Sequence, residues 1–555
     1  MKNKLLKSHA IKILLMLFFV VIGYNQFHDK AFTGSEAQGT HIWLSASTVK
    51  FVNNWLKEGA LNLNFIMYEY PDSIEFNNIH EREAYISYPP GTIIPVYLTA
   101  RLLNRDEIQL GFLKQFLRFK YLADSILICL IIFSFLVIIL NYKSDILTYF
   151  LSLFFTYVWI ILPINLYYLR NVYFSDQMIL TVVFFYTLLL IIKQVEIKNN
   201  VLNILHYTLM IITSIFGILT DWYFCFVIFI SWLVQMLVIK LNKSSIKYYF
   251  TESIVYVFPV FIGLGLFTWQ VINIPDYSSI IRNIMNFRIY GEVSYIDNNI
   301  IGIIINFINN YSILALLILI VPFLLIIYGL IKKEHFFYAC NNFLPVFAII
   351  FFPPFFQILI LQNHSAVHEF SMLKFSLPII ISIIISITLI FHYFRIANLN
   401  VFFNTINEGK ANAIKIPVII IAMIFSLVTF SWFHNDYRYI TNRMGVIESF
   451  EREMLIRENT KYEDVIFSFT ESISANPPMY LAVSKKAVYQ IDSFNDIHNR
   501  FPNLTDQANI LFIIKNSVVK NEKILHQENE VIKNGHLQFF NQNFSLYSID
   551  KSILH

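Results

Sequence analysis

The feature that most constrains this chain is a series of apolar runs that recurs from the N-terminus to residue 433. A hydrocarbon core about 30 Å thick is crossed by about 20 apolar residues in a helix, and several of the runs reach that length. Only 14% of the residues are charged, against about 25% in soluble domains. The sequence therefore predicts an α-helical polytopic membrane protein.

The apolar runs predict about eleven transmembrane helices. The first, from about Ile11 to Gly23, follows a lysine-rich start, and no clean cleavage site comes after it, which favours a retained helix over a signal peptide. The other spans are predicted at about 115–141, 145–167, 175–192, 202–219, 222–240, 252–273, 309–331, 340–361, 374–394 and 415–433.

The basic residues of the short loops predict the orientation, because cytoplasmic loops are enriched in Lys and Arg. The short loops fall into two alternating sets, one on each side of the membrane. One set is rich in basic residues, whereas the other contains only Arg170, Arg282 and Arg288. The N-terminus is therefore predicted in the cytoplasm, and an odd number of spans places the C-terminal region outside an inner or plasma membrane. The loops assigned to the cytoplasm contain Lys143, Lys193, Lys198, Lys240, Lys243, Lys247, Lys332, Lys333, Arg395, Lys410 and Lys415.

Two large polar regions are predicted outside the membrane, which divides the chain into a transmembrane domain, 1–433, and an extracytoplasmic α/β domain, 434–555. The first outer loop, about 27–114, contains an amphipathic helical pattern between Ile42 and Leu56 that Gly59 ends. A second apolar stretch, Thr92 to Leu103, is too short to span a bilayer. Both stretches predict helices that lie in the membrane interface. The tail has strand-like runs, VIFSF, MYLAV, AVYQI, ILFII and SLYSI.

Several ionisable residues are predicted to gather on the outer side, and such groups at membrane level indicate function by default. They are Glu36, His41, Asp176, Asp221, His364, His368, Glu369 and Lys374. Each residue also has a structural interpretation. Glu36 would be a solvated loop acid, Asp176 the N-cap of a helix that starts at Gln177, and Asp221 a cap at the tight turn that begins with Thr220.

The NHSAVHEF stretch leaves two interpretations open, because His364, His368 and Glu369 are either weak metal ligands or contacts to a lipid phosphate or a sugar. Arg282, Arg288 and Lys374 are either interfacial anchors or phosphate ligands. In AYISYPPGTIIPVYL, the Pro-Pro-Gly turn brings Tyr85 and Tyr88 to one place, where their rings would suit packing on a sugar.

In this order the motifs resemble the GT-C integral-membrane glycosyltransferases, the family that includes protein O-mannosyltransferases and the lipid A aminoarabinose transferase. The resemblance covers nearly the whole chain. It comprises a first span, an acidic residue in GSEAQGTH, the helix WLSASTVKFVNNWLKEG, then YPPGTIIPVYLTARLL, a basic-flanked second span in LKQFLRFKYLAD, many further spans and a small outer domain.

The resemblance implies inverting transfer of a sugar from a polyprenyl-phosphate donor to a lipid, glycan or protein acceptor outside the cytoplasm. A carboxylate, Glu36 or Asp176, would accept the proton of the acceptor hydroxyl. Arg118, Arg282, Arg288 and Lys374 would stabilise the departing lipid phosphate. No cofactor is expected, a divalent metal is not required by this chemistry, and no nucleic-acid partner is indicated.

One residue departs from the family pattern, which has an Asp-Glu pair in the first outer loop, because Ser35 precedes Glu36 here. Either Glu36 takes over as the base, or another acid such as Asp176 supplies it, or the enzyme is altered or inactive. Three other classes of function remain open: a polysaccharide polymerase or ligase, a lipid-linked glycan transporter or flippase, and a purely structural or sensor role. For a transporter, Pro353-Pro354 would mark a broken helix.

Overall fold

The computed structural model describes residues 2–29, 41–69, 82–140, 146–194, 199–241, 246–290, 299–331, 343–393, 451–461, 464–474, 481, 483–484, 486–501, 504, 509–516 and 522–550. The predicted base Glu36 and the predicted span at 415–433 lie outside these ranges. Helices dominate the described chain up to residue 393, and a small sheet follows in the tail.

The helices of the N-terminal part reproduce most of the predicted apolar runs. They are α1 Lys2–Asp29, α2 Ile42–Glu58, α3 Ile93–Leu102, α4 Leu110–Ser134, α5 Ile146–Ile161, α6 Pro163–Asn171, α7 Ser175–Lys193, α8 Asn200–Ile218, α9 Tyr223–Leu241, α10 Ile246–Val271, α11 Tyr277–Tyr290, α12 Asn299–Ile331, α13 Phe343–Ile360, α14 Gln362–Val367 and α15 Ser376–Tyr393. Two 3₁₀ helices, Pro90–Thr92 and Glu369–Phe375, precede α3 and α15, and a π-helical turn, Phe135–Ile139, ends α4.

Six helices in the described ranges are long and apolar enough to cross a membrane, or up to eight if each of two bent pairs forms one span. The chain is thus a multi-pass membrane protein, but the described residues do not reach the predicted eleven spans. Two further apolar helical stretches, Ala10–Gln26 within α1 and Leu344–Ile360 within α13, are shorter than these spans. The run at 145–167 is also divided, because α5 ends before Pro163 and α6 turns away by 68°.

The Pro353-Pro354 pair does not break a helix. Both prolines lie inside α13, which continues from Phe343 to Ile360. The sequence interpretation of this pair as a transporter-like break is therefore wrong. Neighbouring helices supply the packing that lets a transmembrane helix accommodate proline.

The described chain divides into two compact units. The first unit comprises Met1–Gly34, Gln115–Phe267 and Ser279–Met444, and the second comprises Ser35–Lys114, Thr268–Ser278 and Gly445–His555. The second unit therefore contains most of the first predicted outer loop, from Ser35 onwards, together with the tail.

Within the second unit, α2 confirms the amphipathic pattern, and Gly59 ends it with a φ of 88°, a conformation that favours glycine. Most of α2 is buried, including Lys50, whose ammonium contacts the Glu69 carboxylate. Trp55 donates from Nε1 to the Ile66 carbonyl at 2.9 Å, which fixes the chain that follows the helix. A short hairpin, β1 Met67–Tyr68 and β2 Ala84–Tyr85, completes this region.

The tail forms the predicted α/β domain around one five-stranded mixed sheet, with strand order β4-β3-β5-β7-β6. Parallel pairs join β3 to β4 and β5, and antiparallel pairs join β7 to β5 and β6. The elements are β3 Val465–Ser468, β4 Val488–Gln490, β5 Ile510–Lys515, β6 His536–Phe540 and β7 Phe544–Ile549, with helices α16 Glu451–Asn459, α17 Glu471–Ser474, α18 Asn495–Arg500 and α19 Glu522–Asn534.

Four of the five strand-like runs in the tail are confirmed as strands, whereas the fifth, MYLAV, lies mostly outside the described residues. The described residues of that run, Leu481 and Val483, are helical, since a short apolar run does not distinguish a strand from a buried helix. The sequence analysis also missed β6, because its residues alternate weakly and are mostly exposed.

Gly217 allows α8 and α9 to pack closely beside the turn that contains Asp221. A Cβ at Gly217 would lie 2.5–2.7 Å from ring atoms of the buried Phe224, whereas a Cβ at Gly265 of α10 would meet nothing within 4 Å. We expect Gly217→Ala to destabilise the protein by about 1–3 kcal/mol through overpacking. Gly265→Ala is the matched control. The apparent Tm in detergent should fall only for Gly217→Ala, and equal Tm values would contradict the packing described here.

Candidate functional site

The centre of the candidate site is the ammonium of Lys374, which brings three separate elements together. Lys374 lies in the 3₁₀ helix before α15, and its Nζ donates to Asp176 Oδ1 in the first turn of α7 at 2.6 Å. Asp221 Oδ2, in the turn between α8 and α9, lies 3.8 Å from the same Nζ. The ring of Tyr223 faces the ammonium, with its centroid 4.9 Å away.

All three charged groups are almost completely buried, with Lys374 3%, Asp176 2% and Asp221 2% exposed. Buried charges are costly unless they are paired, and removal of one partner destabilises a protein by about 3–5 kcal/mol. The mutual attraction of these charges therefore holds the start of α7, the α8–α9 turn and the start of α15 in one place.

The two oxygens of Asp221 have different environments. Oδ1 accepts the backbone N–H of Tyr223 at 2.8 Å, so the predicted capping role of Asp221 is confirmed. Oδ2 has no hydrogen-bond donor within reach in the described chain. Burial raises the pKa of the Asp221 carboxyl, against the lowering effect of Lys374.

Asp176 does not cap α7, which corrects the structural interpretation of the sequence. The helix begins at Ser175, and its N-cap is Phe174, whose backbone N–H donates to Gln177 Oε1 at 2.8 Å. Asp176 therefore lies inside the first turn, where a negative charge is favourable beside the helix N-terminus. This position directs its carboxylate to Lys374.

His364 and His368 lie on and just after α14, with ring centroids 4.8 Å apart. The His368 ring stacks on Phe370 at 5.0 Å. Burial lowers the pKa of both imidazoles, and the Arg288 guanidinium acts in the same direction on both, whereas the Asp176 carboxylate raises the pKa of His368 in part. Both rings are therefore neutral near pH 7, and each can donate one hydrogen bond and accept another.

Glu369 has a partner that the sequence analysis missed. The Tyr168 hydroxyl, at the end of α6, donates to Glu369 Oε1 at 2.5 Å, and the Tyr168 ring contacts Phe370. Tyr168 is fully buried and Glu369 is half-buried. The sequence signal for Tyr168 was the tyrosine-rich segment after Pro163. That segment places hydroxyl groups near a helix end, but it does not show that one of them contacts Glu369.

The predicted phosphate ligands have different exposures. Arg288 is 6% exposed and acts electrostatically on Asp221 and both histidines, so it belongs to the site. Asn363 holds the helix of Arg288 in place, since its Nδ2 donates to the Phe287 carbonyl at 2.9 Å. Arg282 and Arg118 are exposed, on α11 and α4.

Solved structures of similar fold identify this architecture. The apo oligosaccharyltransferase of Archaeoglobus fulgidus aligns with a TM-score of 0.52 at 10% identity over 91% of this chain and 69% of that chain. The same protein tethered to an acceptor peptide with the NVT sequon aligns with a TM-score of 0.50 at 9% identity over 98% and 74%. The chain has the GT-C fold.

The apo crystal structure of ArnT from Cupriavidus metallidurans also aligns, with a TM-score of 0.48 at 10% identity over 98% of both chains. No protein-family model and no curated protein sequence matches this chain. The two oligosaccharyltransferase alignments confirm the predicted resemblance to GT-C proteins at the level of the fold.

The predicted GT-C residues of the first outer loop lie in the second unit. His41 precedes α2 with a φ of 63°, Tyr85 lies in β2 with its ring 5.6 Å from Phe51, and Tyr88 is 7% exposed. Groups of three or more residues suited to bind a metal ion are absent from the described ranges. The metal interpretation of His364, His368 and Glu369 therefore has no support there.

Two further buried ion pairs lie within the transmembrane helices of the first unit. Lys120 Nζ donates to Asp124 Oδ2 at 2.7 Å, and Thr181 donates to Oδ1 of the same carboxylate at 2.6 Å. At the far end of α7, Lys193 pairs with Glu252. The spacing of four residues between Lys120 and Asp124 was a signal that the sequence analysis did not use.

The lowered pKa of His364 makes a prediction for stability. In the unfolded chain the imidazole takes up a proton near pH 6.5, whereas the buried ring resists it, so the stabilising contribution is present above that pH and is lost as the pH falls through the folded-state pKa. We expect the apparent Tm to fall more steeply from pH 8 to pH 5 for the wild type than for His364→Asn. His498→Asn, at an exposed histidine of the tail, should keep the wild-type slope. Equal slopes for wild type and His364→Asn would contradict the buried neutral ring.

Proposed function

We propose that this protein is an inverting glycosyltransferase that moves a sugar from a polyprenyl-phosphate donor to an acceptor outside the cytoplasm. The observation that carries the proposal is the buried cluster of Asp176, Asp221, Lys374 and Arg288 in a GT-C fold. Convergence of buried acids and bases in one place is typical of a catalytic site rather than of a structural span.

The proposed reaction is a single displacement at the anomeric carbon. The acceptor hydroxyl oxygen forms a bond to that carbon, the bond from the carbon to the phosphate oxygen breaks, and the electron pair leaves with the lipid phosphate. The hydroxyl proton passes to a carboxylate. Glu36 is the proposed base, and Asp176 is the alternative, in keeping with Ser35 at the position of the family acid.

Arg288 is the cation best suited to the departing phosphate. Its guanidinium can form two parallel hydrogen bonds to phosphate oxygens, and it lies near both neutral histidines, whose pKa values it lowers. Lys374 is already engaged by Asp176 at 2.6 Å. We therefore propose that Lys374 holds the two carboxylates in position. The exposed Arg282 and Arg118 would contact the lipid phosphate as the donor enters the site.

His364, His368 and Glu369 are proposed to bind the sugar. The neutral imidazoles offer donors and acceptors for hydroxyl groups, and Tyr168 fixes the direction of the Glu369 carboxylate. His41, Tyr85, Tyr88 and Asp221 are further proposed contacts to substrate. Buried polar groups that hydrogen-bond a substrate give strong selectivity, because the wrong substrate leaves them unpaired.

An apolar cleft in the first unit suits the hydrocarbon tail of the donor. It has a volume of about 480 Å³ and lies between α12 and α13, lined by Phe323, Phe352, Phe355 and Phe356 together with leucine and isoleucine side chains. Phe355 also contacts Phe375, the neighbour of Lys374, with ring centroids 5.1 Å apart. The cleft therefore lies next to the 3₁₀ helix that contains Lys374, since the Phe355 and Phe375 rings pack against each other.

The base assignment is tested by transfer from polyprenyl-phosphate sugars in nanodiscs, with release of the lipid phosphate as the readout. Glu36→Gln cannot take up a proton, so we expect a loss of about a hundredfold or more. Glu107→Gln, an exposed acid of the same loop, is the matched control and should keep wild-type activity.

The outcome of the same assay with Asp176→Asn separates the two candidate bases. Full activity of Glu36→Gln together with loss in Asp176→Asn would move the base to Asp176. Absence of release by the wild type with every donor sugar would contradict the proposed function itself.

A further inference from the structure

The strand β6 forms an open edge of the tail sheet. It lies at the end of the strand order, and β7 is its one neighbouring strand among the described residues. The Asn541 N–H donates to the Phe544 carbonyl at 2.9 Å and closes the β6–β7 hairpin. In an antiparallel ladder the adjacent residue, Phe540, therefore directs its own N–H and C=O away from β7. The outer side of β6 thus offers backbone donors and acceptors to a further strand.

The side chains of β6 do not protect this edge. Native edges commonly have Lys, an inward charge or Pro, whereas the HLQFF sequence of β6 has none of these. Leu537 is 54% and Phe540 64% exposed. A bulge between them places both on one face of the sheet, because Leu537 lies opposite Tyr547 and Phe540 opposite Ser545, two residues apart on β7.

Helix α19 packs on the same face and adds a second row of exposed apolar side chains. Its Val531 lies in the buried core of that face, which includes residues of β7. Gln527, on one flank of the helix, donates to the Asp492 carbonyl, which follows β4 at the opposite edge of the sheet. The other flank, where Leu525 and Ile532 are 44% and 47% exposed, therefore faces β6.

The two rows form an apolar groove, which we call the edge groove and which consists of Leu525, Ile532, Leu537 and Phe540. The chain reverses at Gly535, so that Ile532 corresponds to Leu537 at one end of the groove and Leu525 to Phe540 at the other. Each row is about 10 Å long, from the rise per residue of a helix and of a strand.

We infer that the edge groove binds an extended polypeptide segment, which adds a strand to β6 and packs alternate apolar side chains against the groove. This is a recurring way for a sheet edge to recognise a peptide. The open backbone of β6 determines the chemical class of the partner, because a lipid tail has no repeating N–H and C=O groups to pair with a strand.

The size of the groove favours a short segment over a second copy of this chain. A stable interface between subunits buries about 800 Å² on each partner. The edge groove has two rows of two side chains beside a strand of five residues. An added segment of about six residues would cover this length.

The inference goes beyond the proposed function, because the groove lies in the tail and peptide binding can be measured without sugar transfer. Absence of transfer with every donor sugar would contradict the proposed function and would leave the binding results unaffected.

The test titrates the full-length protein in nanodiscs with hexapeptides that alternate threonine with valine, leucine or phenylalanine. Each peptide has fluorescein at its N-terminus and an amide at its C-terminus, and fluorescence anisotropy is the readout. We expect saturable binding of at least one peptide below about 1 mM. N-methylation of that peptide on every second residue, in the register whose N–H groups face β6, should abolish binding, because it removes the backbone donors and keeps the side chains.

Substitutions at exposed positions locate the binding surface without disturbing the core. Leu537→Lys and Phe540→Lys place a charge on the groove, and each should weaken peptide binding by about tenfold or more. Met454→Lys is the matched control, since Met454 is 49% exposed on α16, which packs on the other face of the sheet. It should keep the wild-type affinity.

Three results would overturn the inference. The first is the absence of binding by every peptide. The second is equal binding of the N-methylated peptide, which would indicate adsorption to an apolar surface. The third is dimerisation of the wild type that Leu537→Lys abolishes, without peptide binding, which would assign the edge groove to a second copy of the chain.

Discussion

The structure of the first unit depends on one buried ammonium. Lys374 neutralises carboxylates from α7 and from the α8–α9 turn, and it does so where each of these elements begins or reverses direction. In a membrane protein, helix association has little hydrophobic driving force, so polar contacts and close packing determine which helix ends meet. The ion pair therefore determines where these helix ends meet. The positions of the two histidines, Glu369 and Arg288 in the site depend on that arrangement.

Close packing and hydrogen bonds also hold Asp221 and Lys374 in position. Gly217 lets Phe224 approach α8, so the chain reverses within a few residues and presents Asp221. The Tyr311 hydroxyl donates to the Met372 carbonyl at 2.9 Å, and Trp159 donates from Nε1 to Ser376 Oγ at 3.2 Å. These bonds fix the 3₁₀ helix on both sides of Lys374, so that the ammonium has little freedom to move away from the carboxylates.

Much of the fold could be predicted from the sequence, because the length of an apolar run and the bilayer thickness are directly related. The helix α7, the α8–α9 turn and four tail strands lie close to their predicted positions. The break before Pro163 and the continuous helix through Pro353 could not be predicted, since the neighbours of a proline decide whether a helix bends. The GT-C resemblance came from the order of the motifs, and the aligned structures agree with it at the level of fold.

The candidate site was predicted as a set of residues but not as a set of contacts. Sequence position showed that Asp176, Asp221, His364 and Lys374 are ionisable groups at helix ends, yet it could not show that Lys374 faces two carboxylates. The separation of 198 residues between Lys374 and Asp176 is set by tertiary packing. Tyr168 and Tyr223 were missed for the same reason, because a tyrosine near a helix end gives no local signal of its partner.

The most direct test of the account is a cryo-electron microscopy structure of the wild-type protein in nanodiscs with a non-hydrolysable polyprenyl-phosphate sugar. The account predicts the phosphate at Arg288, the sugar beside His364, His368 and Glu369, and the ammonium of Lys374 still between its two aspartates. A headgroup bound instead near Lys193 and Glu252, at the opposite end of α7, would contradict the assigned site and would favour a transport function.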